Sequence, residues 1–291
     1  MIRRDDGDDW IIIEQIKHAN LAAQIARAWG NEQFESLTAH PTGTPLHHAV
    51  SQYDDGWNEW DWAPRLDPRT GKPRDFREMR MSDATAIWSK SVRAAESPFP
   101  LAAYAVSRHF CYLAELVRDG GRHDADDLAA VTRFLTQQSR EQTRLEQKAE
   151  TRGWEPAFDR DRELAYRTVQ FFDRVSLWLC CADEREPQPM TAPLGEVVTF
   201  SARRAPPPPA ESTSTVYRLA TSRPDFRRWH VSIEPYPLSQ SSPGDNTHEF
   251  SVDARRIPAR PYVDDQDLAA TWNDAPSVRL VWMFSPGPIA T

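Results

Sequence analysis

The stretch that most constrains this chain runs from Leu46 to Asp61, LHHAVSQYDDGWNEWD. At helical spacing Leu46, Ala49, Val50, Tyr53, Asp54 and Trp57 fall on one face. Asp54 therefore lies inside an apolar stripe, while Asp55 turns about 100° away. A carboxylate aimed at a core must be paired, hydrogen-bonded or bound to a metal. Three further segments repeat the pattern. His18 shares a face with Leu21, Ala22, Ile25 and Trp29, and His109 shares one with Ala102, Ala105, Val106 and Leu113. Asp173 sits in FFDRVSLWLC, which is apolar on most sides. Four ionisable groups on four apolar faces predict one shared, buried polar centre.

The remaining pattern places the elements. The β-branched run Trp10–Gln15 reads as a strand, and a helix follows over Ile16–Trp29, stopped by Gly30-Asn31. Thr38–Pro45 is a loop, and the helix carrying Asp54 is expected to end near Gly56. Asp61–Ser82, punctuated by Asp67-Pro68 and Thr70-Gly71, reads as a long surface loop of the kind used for lids and binding. Helices are expected over Ser82–Ala95, from Pro98 to Gly120-Gly121, and over Asp124–Glu150. The last of these is charged, with a sparse seam of Leu128, Val131, Leu135 and Leu145, as on an outer helix. Asp161–Ala182, apolar nearly all round, is expected at the centre of a bundle.

Beyond Glu184 the composition changes. A Pro-rich segment extends to Thr215, with strand-like runs at Glu196–Ser201, Thr215–Leu219, Trp229–Ile233, Phe250–Ala254 and Val278–Phe284. A short helix is expected at Asp267–Trp272. The expected fold is mainly α: a helical domain with an N-terminal strand over 1–183, then a Pro-rich segment and a β-rich portion over 184–291. The Trp10 strand is free to join the later sheet.

Several function classes are disfavoured. A net charge of -8 argues against a nucleic-acid partner, which calls for a basic patch. No apolar run approaches the roughly 20 residues of a membrane span, and MIRRDDGDDW lacks the apolar run of a signal peptide. Cys111, Cys180 and Cys181 form no CxxC pair. These features predict a cytoplasmic protein with no membrane partner. The expected partner is a small anionic substrate or ligand, met by loop residues such as Arg65, Lys72 and Arg74; homo-oligomerisation stays open. There is no P-loop, GxGxxG or GxSxG motif.

Imidazole and carboxylate together suit zinc, iron or manganese, and bundle cores build such sites from facing helices. The same residues also allow a satisfied core network: His18 bonded to Asp54 or Asp173, Asp173 paired with Arg108 or Arg174, or Asp54 and Asp55 capping the turn at Gly56. A histidine on an early helix, an aspartate in the next and a late aspartate in FFDRVSL resemble the HD superfamily, metal-dependent phosphohydrolases of largely helical fold. The resemblance implies an HD-like helical bundle with His18, Asp54 and Asp173 as metal ligands and His109 as an auxiliary ligand. It also implies attack started by Asp55 or a metal-bound water. The sequence departs where that pattern has a His-Asp doublet: the histidine is Tyr53, and neutral tyrosine is a poor ligand. His47, roughly 10.5 Å along the helix from Asp54, is too far to replace it and reads as a surface or pocket-mouth residue. The segments HANLAAQIARAWGN, AVSQYDDGW, WDWAPRLDP, SRHF and RRIPARPYV also resemble a bacterial family of unknown function. Two readings follow: a divergent metal-dependent phosphohydrolase, or a degenerate, non-catalytic module that binds a small ligand or partner.

Overall fold

The computed structural model describes the chain except residues 122, 182–184, 194–196, 205–226, 241–245 and 287–291. Its order is a hairpin, seven helices, and a second group of strands carrying one more helix. The hairpin pairs β1 (Ile2–Asp6) with β2 (Asp9–Ile13), turning at Gly7, whose φ is 69°. The helices are α1 (Gln15–Ala28), α2 (Gly43–Gln52), α3 (Asn58–Trp62), α4 (Met81–Ala95), α5 (Pro100–Asp119), α6 (Ala125–Thr151) and α7 (Glu155–Cys180). There follow β3 (Arg185–Thr191), β4 (Val197–Arg204), β5 (Arg227–Glu234), β6 (His248–Pro258), α8 (Asp265–Asp274) and β7 (Ser277–Pro286). The predicted strand at Thr215–Leu219, and the Pro-rich stretch around it, lie outside the described residues.

The strands form one seven-stranded sheet in the order β1-β2-β6-β7-β5-β4-β3. It is antiparallel except between β5 and β7, where Trp229 registers with Trp282. This sheet corrects the expectation of a mainly α, HD-like bundle. The fold is 55% helical and 20% strand, with a curled, half-barrel sheet built from both ends of the chain. β2 lies between β1 and β6, with Trp10 opposite Ile257. Its residues Trp10, Ile11, Ile12 and Ile13 are all buried, as a strand covered on both faces must be.

Local chemistry explains the sheet edges. β1 reads IRRDD, yet Ile2 and Arg4 are buried on alternate positions, and the Arg4 guanidinium stacks over the Trp229 ring at 4.9 Å. β3 contains Pro187 and Pro189, which cannot donate to a ladder on both sides; it is the other edge strand.

One apolar core runs from Met1 and Ile2 through the helices to Trp282 and Phe284. Within it α5 and α7 present His109 and Asp173, both buried. α6 covers α5 from outside, and its buried Gln138 accepts a hydrogen bond from the Ser107 hydroxyl at 2.9 Å. The Asp61–Ser82 segment is tied down: Asp75 accepts the Arg3 amide at 2.9 Å, and the Gly71 carbonyl accepts the Tyr262 amide at 2.7 Å. No helix among the described residues is long and apolar enough to cross a membrane.

Candidate functional site: a buried histidine, aspartate and tyrosine centre

The structure brings His18, Asp54, His109 and Asp173 together, with Tyr53 between them. None of the five is more than 8% exposed. α2 ends at Gln52, earlier than the expected Gly56, because the chain turns at Tyr53 and Asp54 into a 3-10 turn over Asp55–Trp57. Gly56 makes that turn possible. Its amide donates to the Ser91 hydroxyl at 3.0 Å, and a Cβ there would lie 2.1 Å from the Ile87 carbonyl oxygen of α4. Tyr53 and Asp54 thus point inward from a corner, not from a helix face.

His18 is the hub. Its Nδ1–H donates to the Gln15 carbonyl at 2.8 Å, and Asp54 Oδ2 lies 3.3 Å from the same nitrogen. Its Nε2 faces Asp173 Oδ1 at 3.1 Å and the Tyr53 hydroxyl at 2.8 Å. The Tyr53 hydroxyl also bonds the Asp173 carboxylate. His109 Nε2 stands 3.6 Å from Asp173 Oδ2, and its Nδ1 is buried with no hydrogen-bond partner. The Ser176 hydroxyl donates to the Asp173 carbonyl at 3.0 Å. Asp55 stays outside the set: it is half-buried, and the charge of His48 acts on it.

The electrostatics sort these groups into two classes. Burial pushes the Asp54 carboxyl up to about 8, against the pull of the His18 charge. Burial would raise Asp173 too, but the His18 hydrogen bond, the histidine charges and the Tyr53 hydroxyl hold it below its ordinary value. Burial disfavours a charged His18, yet its bond to Asp173 and the charges of Asp54 and Asp173 raise its pKa. His109 is pushed down by burial, and Tyr53 is pushed well above 10 by burial and by the two carboxylates. Near pH 6.5 these directions favour one ion pair, His18 with Asp173, surrounded by a protonated Asp54, a neutral His109 and a neutral phenol.

Two residues that sequence reasoning passed over support this centre. Gln15 supplies the carbonyl that orients His18. Asp61 accepts the Gln15 amide at 2.7 Å and the Ile16 amide at 3.3 Å, closing the first turn of α1, which has no acidic residue of its own. The available signal was an aspartate between two tryptophans in NEWDW, where a buried carboxylate needs donors.

The donor set does not fit a divalent ion. His18 Nε2, His109 Nε2 and Asp173 face one region, but Asp54 meets the opposite nitrogen of His18 and cannot join them around one ion. The corner left to a fourth ligand is filled by the Tyr53 phenol, which burial keeps protonated. Among the described residues no three His, Cys, Asp or Glu side chains are arranged to hold a metal.

No curated protein and no solved structure matches the chain. The sequence model of one protein family of unknown function, DUF3891, matches residues 1–257, from the N-terminal hairpin to the end of β6. The chain therefore belongs to the DUF3891 family, whose function is unknown.

Proposed function

We propose that this protein is a non-catalytic binding module, and that its buried centre is a fixed hydrogen-bonded network closed by Tyr53. The observation that carries this reading is the Tyr53 hydroxyl, 2.8 Å from His18 Nε2 in a centre shut off from solvent. A hydrolase needs its nucleophilic water and its scissile bond to reach the reacting groups. Here the protein's own side chains fill that space. The network joins α1, the corner after α2, α5 and α7, so it serves to set how these helices meet.

A second reading, a divergent metal-dependent phosphohydrolase, has one observation in its favour. The bond from His18 Nδ1 to the Gln15 carbonyl aims Nε2 inward, as the second-shell bond of a metal-ligating histidine does. Elemental analysis of freshly purified protein, repeated after incubation with manganese, iron or zinc, separates the two. The binding-module reading expects metal far below one equivalent and no turnover of phosphoesters. Near-stoichiometric metal that disappears in Asp173→Asn, the carboxylate facing His18 Nε2 and His109 Nε2, with phosphoester hydrolysis, would overturn it.

A further inference from the structure

A cleft of about 400 Å³ opens between the start of α1, α3, β6 and the end of α8. One of its walls belongs to the support of the buried centre. Asp61, part of the lining, accepts the Gln15 amide at 2.7 Å, and the Gln15 carbonyl accepts from His18 Nδ1 at 2.8 Å. The network that fixes the helices therefore also fixes this wall of the cleft.

Two lining groups are satisfied within the chain. Arg255 lies over the Trp272 ring at 4.9 Å, donates to the Trp272 carbonyl at 3.1 Å and stands 3.7 Å from Glu14. Asp61 is taken up by two amides of α1 and by the Met1 amine at 3.4 Å. Three other lining groups are not satisfied. Lys17 makes no ion pair among the described residues. Nor does Asp253, because Arg279, opposite it on β7, donates to the Ser251 hydroxyl at 2.8 Å instead. Trp62 is 87% exposed, whereas Trp57 and Trp60 of the same stretch are buried. An indole left in water at the side of a cleft is an apolar contact not yet made. Glu14 adds a half-buried carboxyl. Burial and then the Asp61 charge raise its pKa against the pull of Lys17 and Arg255, so a further positive charge beside it is favoured.

We infer that this cleft binds a free α-amino acid with a large apolar side chain. Glu14 and Asp253 hold its ammonium group, Lys17 holds its carboxylate, and its side chain lies on Trp62. A simple amine would leave Lys17 unmet, and a simple carboxylic acid would leave Asp253 unmet. A ligand with both charges and an apolar body answers all three demands at once. Charge-assisted hydrogen bonds fix its two ends, and the indole buries the rest. The volume is at the low end of small-molecule sites, which suits a single amino acid. The inference rests on the binding-module reading, for which it names the ligand class.

The test is titration of the whole chain with L-phenylalanine at pH 7, where both ends of the ligand are charged. Binding is read by calorimetry and by tryptophan fluorescence, to which this ligand adds no signal. The expected result is saturable binding with a change in emission that Trp62→Ala abolishes. Asp253→Asn and Lys17→Gln should each weaken binding by about tenfold. Trp62 and Asp253 are exposed, so their variants should keep the unfolding midpoint. Phenylalaninamide, which lacks the carboxylate, and phenylpropionate, which lacks the ammonium, should each bind about tenfold more weakly. No saturation by about 10 mM ligand, equal binding of the three compounds, or losses below about threefold in the Asp253 and Lys17 variants would each refute the inference. Elemental analysis does not depend on this ligand, so failure here and failure of the binding-module reading are told apart.

Discussion

The proton held by Asp54 gives the sharpest quantitative handle on the centre. In the unfolded chain this carboxyl titrates at its ordinary 3.8; in the folded protein burial pushes it to about 8. Between those values folding takes up one proton, so the folded state loses stability as pH rises, at about 1.4 kcal/mol per pH unit. The accumulated cost is about 2 kcal/mol at pH 5 and about 4 kcal/mol at pH 7, and it stops growing above pH 8. Asp54→Asn removes the titration and keeps an oxygen able to accept from His18 Nδ1, 3.3 Å away. The variant should match the wild type near pH 4 and exceed its stability by about 4 kcal/mol at pH 7. His18, whose pKa is raised, contributes with the same sign: its stabilisation is complete below its ordinary 6.5 and is lost as pH climbs through the raised value. The part of that contribution due to Asp54 is already contained in the value of about 8, which the His18 charge pulls down; the part due to Asp173 is common to both proteins and cancels in the difference. Urea unfolding of both proteins at pH 4, 5, 6, 7 and 8 measures it. A pH-independent gap, or a variant less stable at pH 7, would show that Asp54 is ionised in the fold and would refute the assignment of charges.

Two further outcomes follow from the packing. Asp173→Ala leaves the His18 imidazolium buried without its partner and should cost about 4 kcal/mol at pH 6; a loss under 1 kcal/mol by chemical denaturation would mean that His18 is neutral in the fold. Gly56→Ala drives a methyl group into the Ile87 carbonyl oxygen at 2.1 Å and should destabilise the protein by about 3 kcal/mol; an unchanged melting temperature would show that the corner between α2 and α4 yields easily.

Much of the helical frame was legible because apolar spacing reports burial directly. The expected Ser82–Ala95 helix is Met81–Ala95, the Asp124–Glu150 helix is Ala125–Thr151, and His18, His109 and Asp173 do point inward. What was not legible lies where side-chain type misreports environment. IRRDD looks like a charged tail, but β1 pairs along its length with β2 and buries an arginine against an indole. REPQPMT looks like a linker because of its prolines, yet an edge strand tolerates them. The helix through Asp54 was expected to reach Gly56, since the apolar period continues through Tyr53 and Trp57. The close approach of Gly56 to Ile87 of α4 ends it sooner, and no local pattern encodes a contact 31 residues away. Within the centre, residue identity told which groups meet. It did not tell that Asp54 and Asp173 take opposite nitrogens of one ring, the detail that separates a network from a metal site.

The place of β2 in the sheet bears on how the chain is made as well as on how it stands. Its outer partner, β1, is available at once, but its inner partner is β6, about 250 residues later. At a synthesis rate of about 5–20 residues per second, roughly ten to fifty seconds separate the emergence of the two strands. Throughout that interval Trp10–Ile13, one of the most apolar strands of the sheet, presents an unpaired edge to other nascent chains. The charged hairpin partner IRRDD shields one side of it. The edge that awaits β6 is therefore where this protein is most exposed to mispairing during synthesis.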